Sequence, residues 1–165
     1  MTALPPNAAT HIYAAQEFLK KGDHAGAERA MGQVSAEFLD HPDALEIRWE
    51  LAAHAGNWDS ALALSKTLCQ LTPESEYAWL GQACSLHELG RQQEAFDSLV
   101  SAFQKLPKSP MIAYNLACGA CRLKRPADAW QWLTKAIELG GRAEVKLMAL
   151  DDPNLAPLLD QICAL

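Results

Sequence analysis

The stretch Trp79-Leu80-Gly81-Gln82-Ala83-Cys84-Ser85-Leu86-His87-Glu88-Leu89-Gly90-Arg91-Gln92-Gln93-Glu94-Ala95 decides the fold. Trp79, Ala83 and Leu86 recur at helical spacing, so one side of this segment is apolar. Gly90 follows Leu89 where the helix must stop, and a left-handed stop is open to glycine because it lacks Cβ. A second periodic segment carries Ala95, Leu99 and Ala102 and ends at Pro107, which cannot continue a helix. The stretch reads as helix, tight turn, helix.

Working outward, the pattern repeats every 34 residues. Ala27, Ala61, Ala95 and Ala129 keep that spacing, and Gly22, Gly56 and Gly90 stand five residues ahead of the first three. Lys124 takes the glycine's place in the fourth unit. Ala15, Ala83 and Ala117 mark another small position, with Trp49 as the exception. Pro73 and Pro107 close the second and third units, Gly141 stands at the fourth closing position, and Pro42 comes three residues late after the first. Small residues let paired helices approach closely. One such hairpin cannot bury its apolar face alone, whereas stacked neighbours bury it together.

Composition agrees. The 165 residues are 50% hydrophobic, with Ala and Leu prominent and β-branched residues scarce, which favours helix over strand and excludes wholesale disorder. The formal net charge of -6 makes phosphate backbones and anionic membrane surfaces poor partners. No run of about 18 apolar residues is present, so membrane insertion is not expected. The start, Met1 to Asn7, lacks the basic and apolar pattern of a signal peptide. Five cysteines, an odd number, suit reduced thiols. A cytoplasmic location is the resulting expectation.

Trp79, Ala83, Leu86, Gly90, Ala95, Leu99, Ala102 and Pro107 together resemble the signature of the tetratricopeptide repeat (TPR) family. The fourth unit, with Tyr114-Asn115-Leu116-Ala117-Cys118, Ala129-Trp130 and Ala136 to Gly140, resembles a bacterial variant of that repeat. The first unit carries only Ala15, Gly22, Ala27 and Val34. A looser likeness is to bacterial kinesin-light-chain-type TPR proteins, whose repeat is longer than 34. The resemblance implies an all-α fold, a right-handed α-solenoid of four hairpins at residues 8–41, 42–75, 76–109 and 110–141. A flexible N-terminus at 1–7 and capping helices at 142–165 complete the expected layout. Glu144 to Leu150 reads as one short amphipathic helix, and Asp151-Asp152-Pro153 starts another, with Pro153 suited to a first turn.

Catalytic patterns are missing. The chain has no Gly-rich phosphate loop, no His-Glu-x-x-His and no Gly-x-Ser-x-Gly. His41-Pro42-Asp43 matches the J-domain tripeptide but lies on a repeat boundary, where a helix stop followed by a helix start is the simpler reading. Cys84 and His87 lie one turn apart, as do Cys118 and Cys121, and the pairs are 34 residues apart. Four such ligands could hold zinc only by converging within about 2.0–2.3 Å of the ion, from helices about 8–10 Å apart. Small cysteines packed as apolar groups are the simpler reading, and no metal, cofactor or enzyme activity is expected. Trp58, Trp79, Trp130 and Trp132 read as packing residues. Trp130 and Trp132, two apart on a helix, are expected to diverge and to expose one ring.

In the TPR family the first helix of each unit lines a concave groove that takes a peptide. Carried over by register, that face comprises Ile12, Tyr13, Gln16 and Lys20, then Asp43, Glu46, Ile47, Glu50 and His54. It continues with Tyr77, Leu80, Cys84, His87 and Glu88, then Met111, Tyr114, Asn115, Cys118 and Arg122. The Lys/Arg/Asn clamp by which some TPR proteins grip the carboxylate tails of heat-shock chaperones is absent. Its positions hold Ile12, Gln16, Ile47, Tyr77 and Gly81, or one repeat on, Glu46, Glu50, Gly81, Met111 and Asn115. Carboxylates there repel such a tail. Asn115 keeps the position where TPR asparagines bind peptide backbone. The expected function is a scaffold or adaptor that binds a protein segment bearing basic and apolar residues. A filament accessory of the kinesin-light-chain type and a chaperone for a secreted or aggregation-prone client are the alternatives.

Overall fold

A computed structural model describes residues 4–165, and among them every regular element is helical. The chain divides into two compact units, one ending at Pro73 and the other beginning at Glu74.

The first unit holds α1 (Pro6–Lys20), α2 (His24–Met31), α3 (Pro42–His54) and α4 (Trp58–Leu71). α1 starts at Pro6, so Pro6 and Asn7 of the expected flexible segment are helical; residues 1–3 lie outside the described part. Ile12 and Ala15 of α1, Ala27, Ala30 and Met31 of α2, and Ala44 and Ile47 of α3 share one buried cluster with Val34. α2 is shorter than the expected segment of about 13 residues. It stops where Gly32 weakens the helix by about 1 kcal/mol and Ser35 favours a turn. A 3₁₀ turn at Ala36–Phe38 follows, and Arg48 Nη1 donates to the Leu39 carbonyl at 2.9 Å. Pro42 then occupies the first turn of α3, and His41 Nδ1 accepts the Asp43 amide at 3.3 Å as the cap. The J-type tripeptide is therefore a helix start.

The second unit holds α5 (Glu76–Glu88), α6 (Gln92–Lys105), α7 (Pro110–Arg122), α8 (Pro126–Gly140), α9 (Arg142–Leu150) and α10 (Leu159–Cys163), with a 3₁₀ turn at Pro153–Leu158 between the last two. Helix starts repeat at 34 residues through both units: 42, 76 and 110 for one set, and 24, 58, 92 and 126 for the other. Ser75 and Ser109 cap α5 and α7 by accepting the amides of Ala78 and Ile112. Each such cap contributes roughly 1 kcal/mol. The turn glycines Gly22, Gly56 and Gly90 have φ of 74°, 70° and 75°, and Lys124 adopts φ 58° at the equivalent place. At each turn the third residue beyond the helix bonds back across the turn, as when Arg91 N donates to the Leu86 carbonyl at 2.8 Å. The four register alanines, Ala27, Ala61, Ala95 and Ala129, are all buried.

The segment after Gly141 covers the end of α7 and α8. Val145, Ala149, Leu155, Leu158 and Ile162 are buried with Ala113, Tyr114, Ala117, Ala129 and Leu133 in one core. Truncating a fully buried leucine such as Leu133 costs about 2–5 kcal/mol. Trp130 and Trp132 point to different sides of α8, but neither ring is exposed as expected. Both are half-buried against this core, with the Trp132 ring edge-on to Phe103 at 5.1 Å, because α8 is contacted from more than one side.

Candidate functional site: clefts along the first helices

In the first unit a cleft of about 410 Å³ opens between α1 and α3. Gln16, Leu19 and Lys20 form one wall, and Glu46, Ile47 and Glu50 the other. Spacing explains the second wall, since Glu46 and Glu50 lie one turn apart on α3. Burial pushes the Glu46 carboxyl above its ordinary value, and the charges of Asp43 and Glu50 push it further. Lys20 bonds Glu17 at 2.7 Å on the same helix, so its charge is shared with its own turn. His54 stacks face to face on His24, with ring centroids 3.4 Å apart. Ile12 was expected in the groove but is fully buried in the core and cannot touch a partner. Its neighbour Tyr13 is exposed but outside the cleft.

In the second unit a cleft of about 200 Å³ lies among α5, α6 and α7. Leu80, Cys84, His87 and Glu88 meet Asn115 and Arg122 there. Gln92, Phe96 and Gly119 complete it. Gln92 Nε2 donates to the His87 carbonyl at 3.2 Å, which turns its Oε1 to His87 Nδ1 at 2.7 Å. His87 Nδ1 therefore carries a proton, and its other ring nitrogen is the acceptor when the ring is neutral. Gly119 packs closely on Phe96: a Cβ there would lie 3.3 Å from the ring, which would have to give way slightly.

Met111 and Tyr114 face a third, apolar cleft of about 190 Å³, closed by Gly140, Val145 and Met148. Tyr114 is nearly fully buried, against the expectation of an open groove residue. Its hydroxyl donates to Asp152 Oδ2 at 3.0 Å, and the Cys118 thiol approaches the same oxygen at 3.4 Å. Arg122 Nε donates to Asn154 Oδ1 at 3.0 Å. The α7 row Tyr114, Cys118, Arg122 is thus engaged by the chain beyond α9. Asp43 and Tyr77 stand at the N-terminal ends of α3 and α5 and line none of the three clefts.

The cysteines do not assemble. Cys84 is exposed while Cys118 and Cys121 are buried, and among the described residues no group of three or more His, Cys, Asp or Glu side chains is placed to hold a metal. Burial pushes the thiols of Cys69, Cys118 and Cys121 upward, Cys69 to about 12. Thiols shifted this way stay protonated at neutral pH and are poor nucleophiles. Leu19, Phe96, Val145 and Met148 were not foreseen as lining residues. Phe96 had a signal, since Leu62 and Trp130 are its large apolar register mates.

No protein-family model matches the chain. Several solved structures do match. MamA 41-end from Desulfovibrio magneticus RS-1 is 15% identical, with 98% of this chain and 96% of that one aligned at a TM-score of 0.71. TTC0263, a thermophilic TPR protein in Thermus thermophilus, is 16% identical over 95% of each chain, with a TM-score of 0.70. YrrB, described as a TPR protein with an unusual peptide-binding site, is 16% identical over 86% of this chain and 73% of that one, with a TM-score of 0.71. Likeness at this identity, joined to the 34-residue ladder of helix starts and left-handed turns, settles the architecture: the chain has the all-α solenoid fold of the tetratricopeptide repeat proteins.

Proposed function

We propose that the chain is a bacterial, cytoplasmic TPR scaffold or adaptor, without enzymatic activity, that holds a segment of another protein against the first helices of its hairpins. The observation that carries this reading is the acidic cleft of the first unit. Glu46 and Glu50 share its wall and face Leu19, while Ile47 between them is buried in the core beneath. Like charges one turn apart cost a few tenths of a kcal/mol, so folding alone gives no reason to keep them. They suit a segment with Lys or Arg beside an apolar side chain. Burial of that apolar group would supply most of the affinity, and the carboxylates would set orientation and association rate. A carboxylate tail or a phosphate backbone is repelled by the same wall. The peptide-binding site described for YrrB supports a peptide as the kind of partner.

In the second unit Leu80, His87, Asn115 and Arg122 would meet the same or another segment, and Met111 would meet it at the apolar cleft. Tyr13, Asp43 and Tyr77 would touch only parts of the partner outside the clefts. Five free thiols fit a reducing compartment. The hairpin limits 8–41, 42–75, 76–109 and 110–141 and the cap 142–165 belong to the same proposal. No structural observation favours the filament-binding or client-holding readings.

The test uses labelled peptides pairing Leu with Arg, and the same peptides with Glu for Arg. The basic peptides should bind with a rate that falls as salt screens the charges. Glu46→Lys/Glu50→Lys should slow their association. Equal association of parent and variant, or equal binding of both peptides, rules the acidic cleft out as the binding site.

A further inference from the structure

We propose that the C-terminal cap, together with the apolar cleft beneath it, carries a second docking surface, distinct from the acidic cleft of the first unit, that takes a basic amphipathic helix of another protein. Among the described residues six large apolar side chains are exposed, and four of them fall between residues 147 and 159: Leu147 (68%), Met148 (41%), Leu150 (40%) and Leu159 (43%). Large apolar side chains gathered on one exposed segment mark an interaction surface.

Charge says what kind of partner fits. Glu144, Leu147, Met148 and Asp151 stand at i, i+3, i+4 and i+7 along α9 and its last turn, which places all four on one face. All four are exposed, so two carboxylates bracket two large apolar groups. The cations of α9 do not offset them. Lys146 is bound to the Cys163 carbonyl at 3.2 Å, and Arg142, two residues before Glu144, points to the other side of the helix. Met148 also forms a wall of the apolar cleft beneath, with Met111 and Val145. A helix with large apolar residues at i and i+4, flanked by Lys or Arg, would set one side chain in that cleft. It would lay the next on Leu147 and pair its cations with Glu144 and Asp151. Methionine walls adapt to side chains of different shape.

The experiment measures anisotropy of a labelled amphipathic helical peptide of Leu and Lys against the full chain, beside a peptide with Glu for Lys. The Lys peptide should bind one per chain. Leu147→Glu should weaken it about tenfold or more with an unchanged melting temperature, because Leu147 is exposed. Glu144→Lys/Asp151→Lys should weaken it at low salt and little at high salt. Three results overturn the proposal. The two peptides bind alike; or binding survives Leu147→Glu but is lost in Glu46→Lys/Glu50→Lys, which puts the peptide in the acidic cleft; or sedimentation of the chain alone shows a dimer that Leu147→Glu dissolves, which gives the face to a second copy.

Discussion

Tyr114 Oη and Asp152 Oδ2 lie 3.0 Å apart across 38 residues of chain, and this hydrogen bond pins the C-terminal cap to α7. Burial alone would raise the Asp152 carboxyl. Hydrogen bonds from the Asn154 amide, the Tyr114 hydroxyl, the Asn154 side chain and the Cys118 thiol together hold it below the usual carboxylate value. A depressed folded-state pKa gives stability that is present above the unfolded value and lost as pH falls through the folded one. Thermal melts should therefore show the cap loosening below about pH 4, and Asp152→Asn should flatten that dependence. Near neutral pH Asp152→Ala should cost roughly 1–3 kcal/mol. A variant that melts like the parent at both pH values would show that the cap is held by Leu155, Leu158 and Ile162 alone.

Lys124 is the non-glycine residue with positive φ among the described residues, at 58°. It pays the steric cost that Gly22, Gly56 and Gly90 avoid at the equivalent turns. Lys124→Gly should raise stability by about 1 kcal/mol, and Gly90→Ala should lower it by a similar amount. Chemical denaturation of the two variants checks both signs.

That turn shows how far the sequence reaches. The 34-residue register set Lys124 at the glycine's place, and the structure gives it the same left-handed conformation because the turn keeps the same hydrogen bond, Arg125 N to the Ala120 carbonyl at 2.9 Å. The same register placed Glu46, Glu50, Leu80, Cys84 and Asn115 beside clefts. It misplaced Ile12 and Tyr114, because register fixes where a residue sits along a helix, not what covers it. Ile12 is covered within the first unit by residues of α2 and α3. Tyr114 is covered because the chain leaves the helical path after Leu150 and crosses α7, a contact spanning 38 residues that no local spacing encodes. The early stop of α2 had its signal in Gly32 and Ser35, which the stronger periodicity of later units obscured.

Ser98 Oγ is buried on α6 without a hydrogen-bond partner. An unsatisfied buried hydroxyl costs roughly 1–3 kcal/mol, and alanine removes the polar atom while leaving a smaller side chain. Ser98→Ala should therefore melt at or above the parent temperature. A clear drop would mean that the hydroxyl is satisfied in solution, for instance by a buried water.

Glu46 links stability to binding. Its folded carboxyl is raised, by burial first and then by Asp43 and Glu50, so the charged form is disfavoured in the folded state. A raised acid contributes stability below its unfolded pKa and loses it as pH rises through the folded value. At neutral pH the charge is thus a burden on the fold. Glu46→Gln should stabilise the chain by a few tenths of a kcal/mol there, with the gain vanishing below about pH 4. If the acidic cleft binds Lys or Arg beside an apolar anchor, the same substitution should slow association of the Leu/Arg peptide. Opposite effects on melting and on binding are what a site kept for a partner predicts. A Glu46→Gln chain that is less stable than the parent, with association unchanged, would make Glu46 a structural residue and leave the cleft without its carboxylate role.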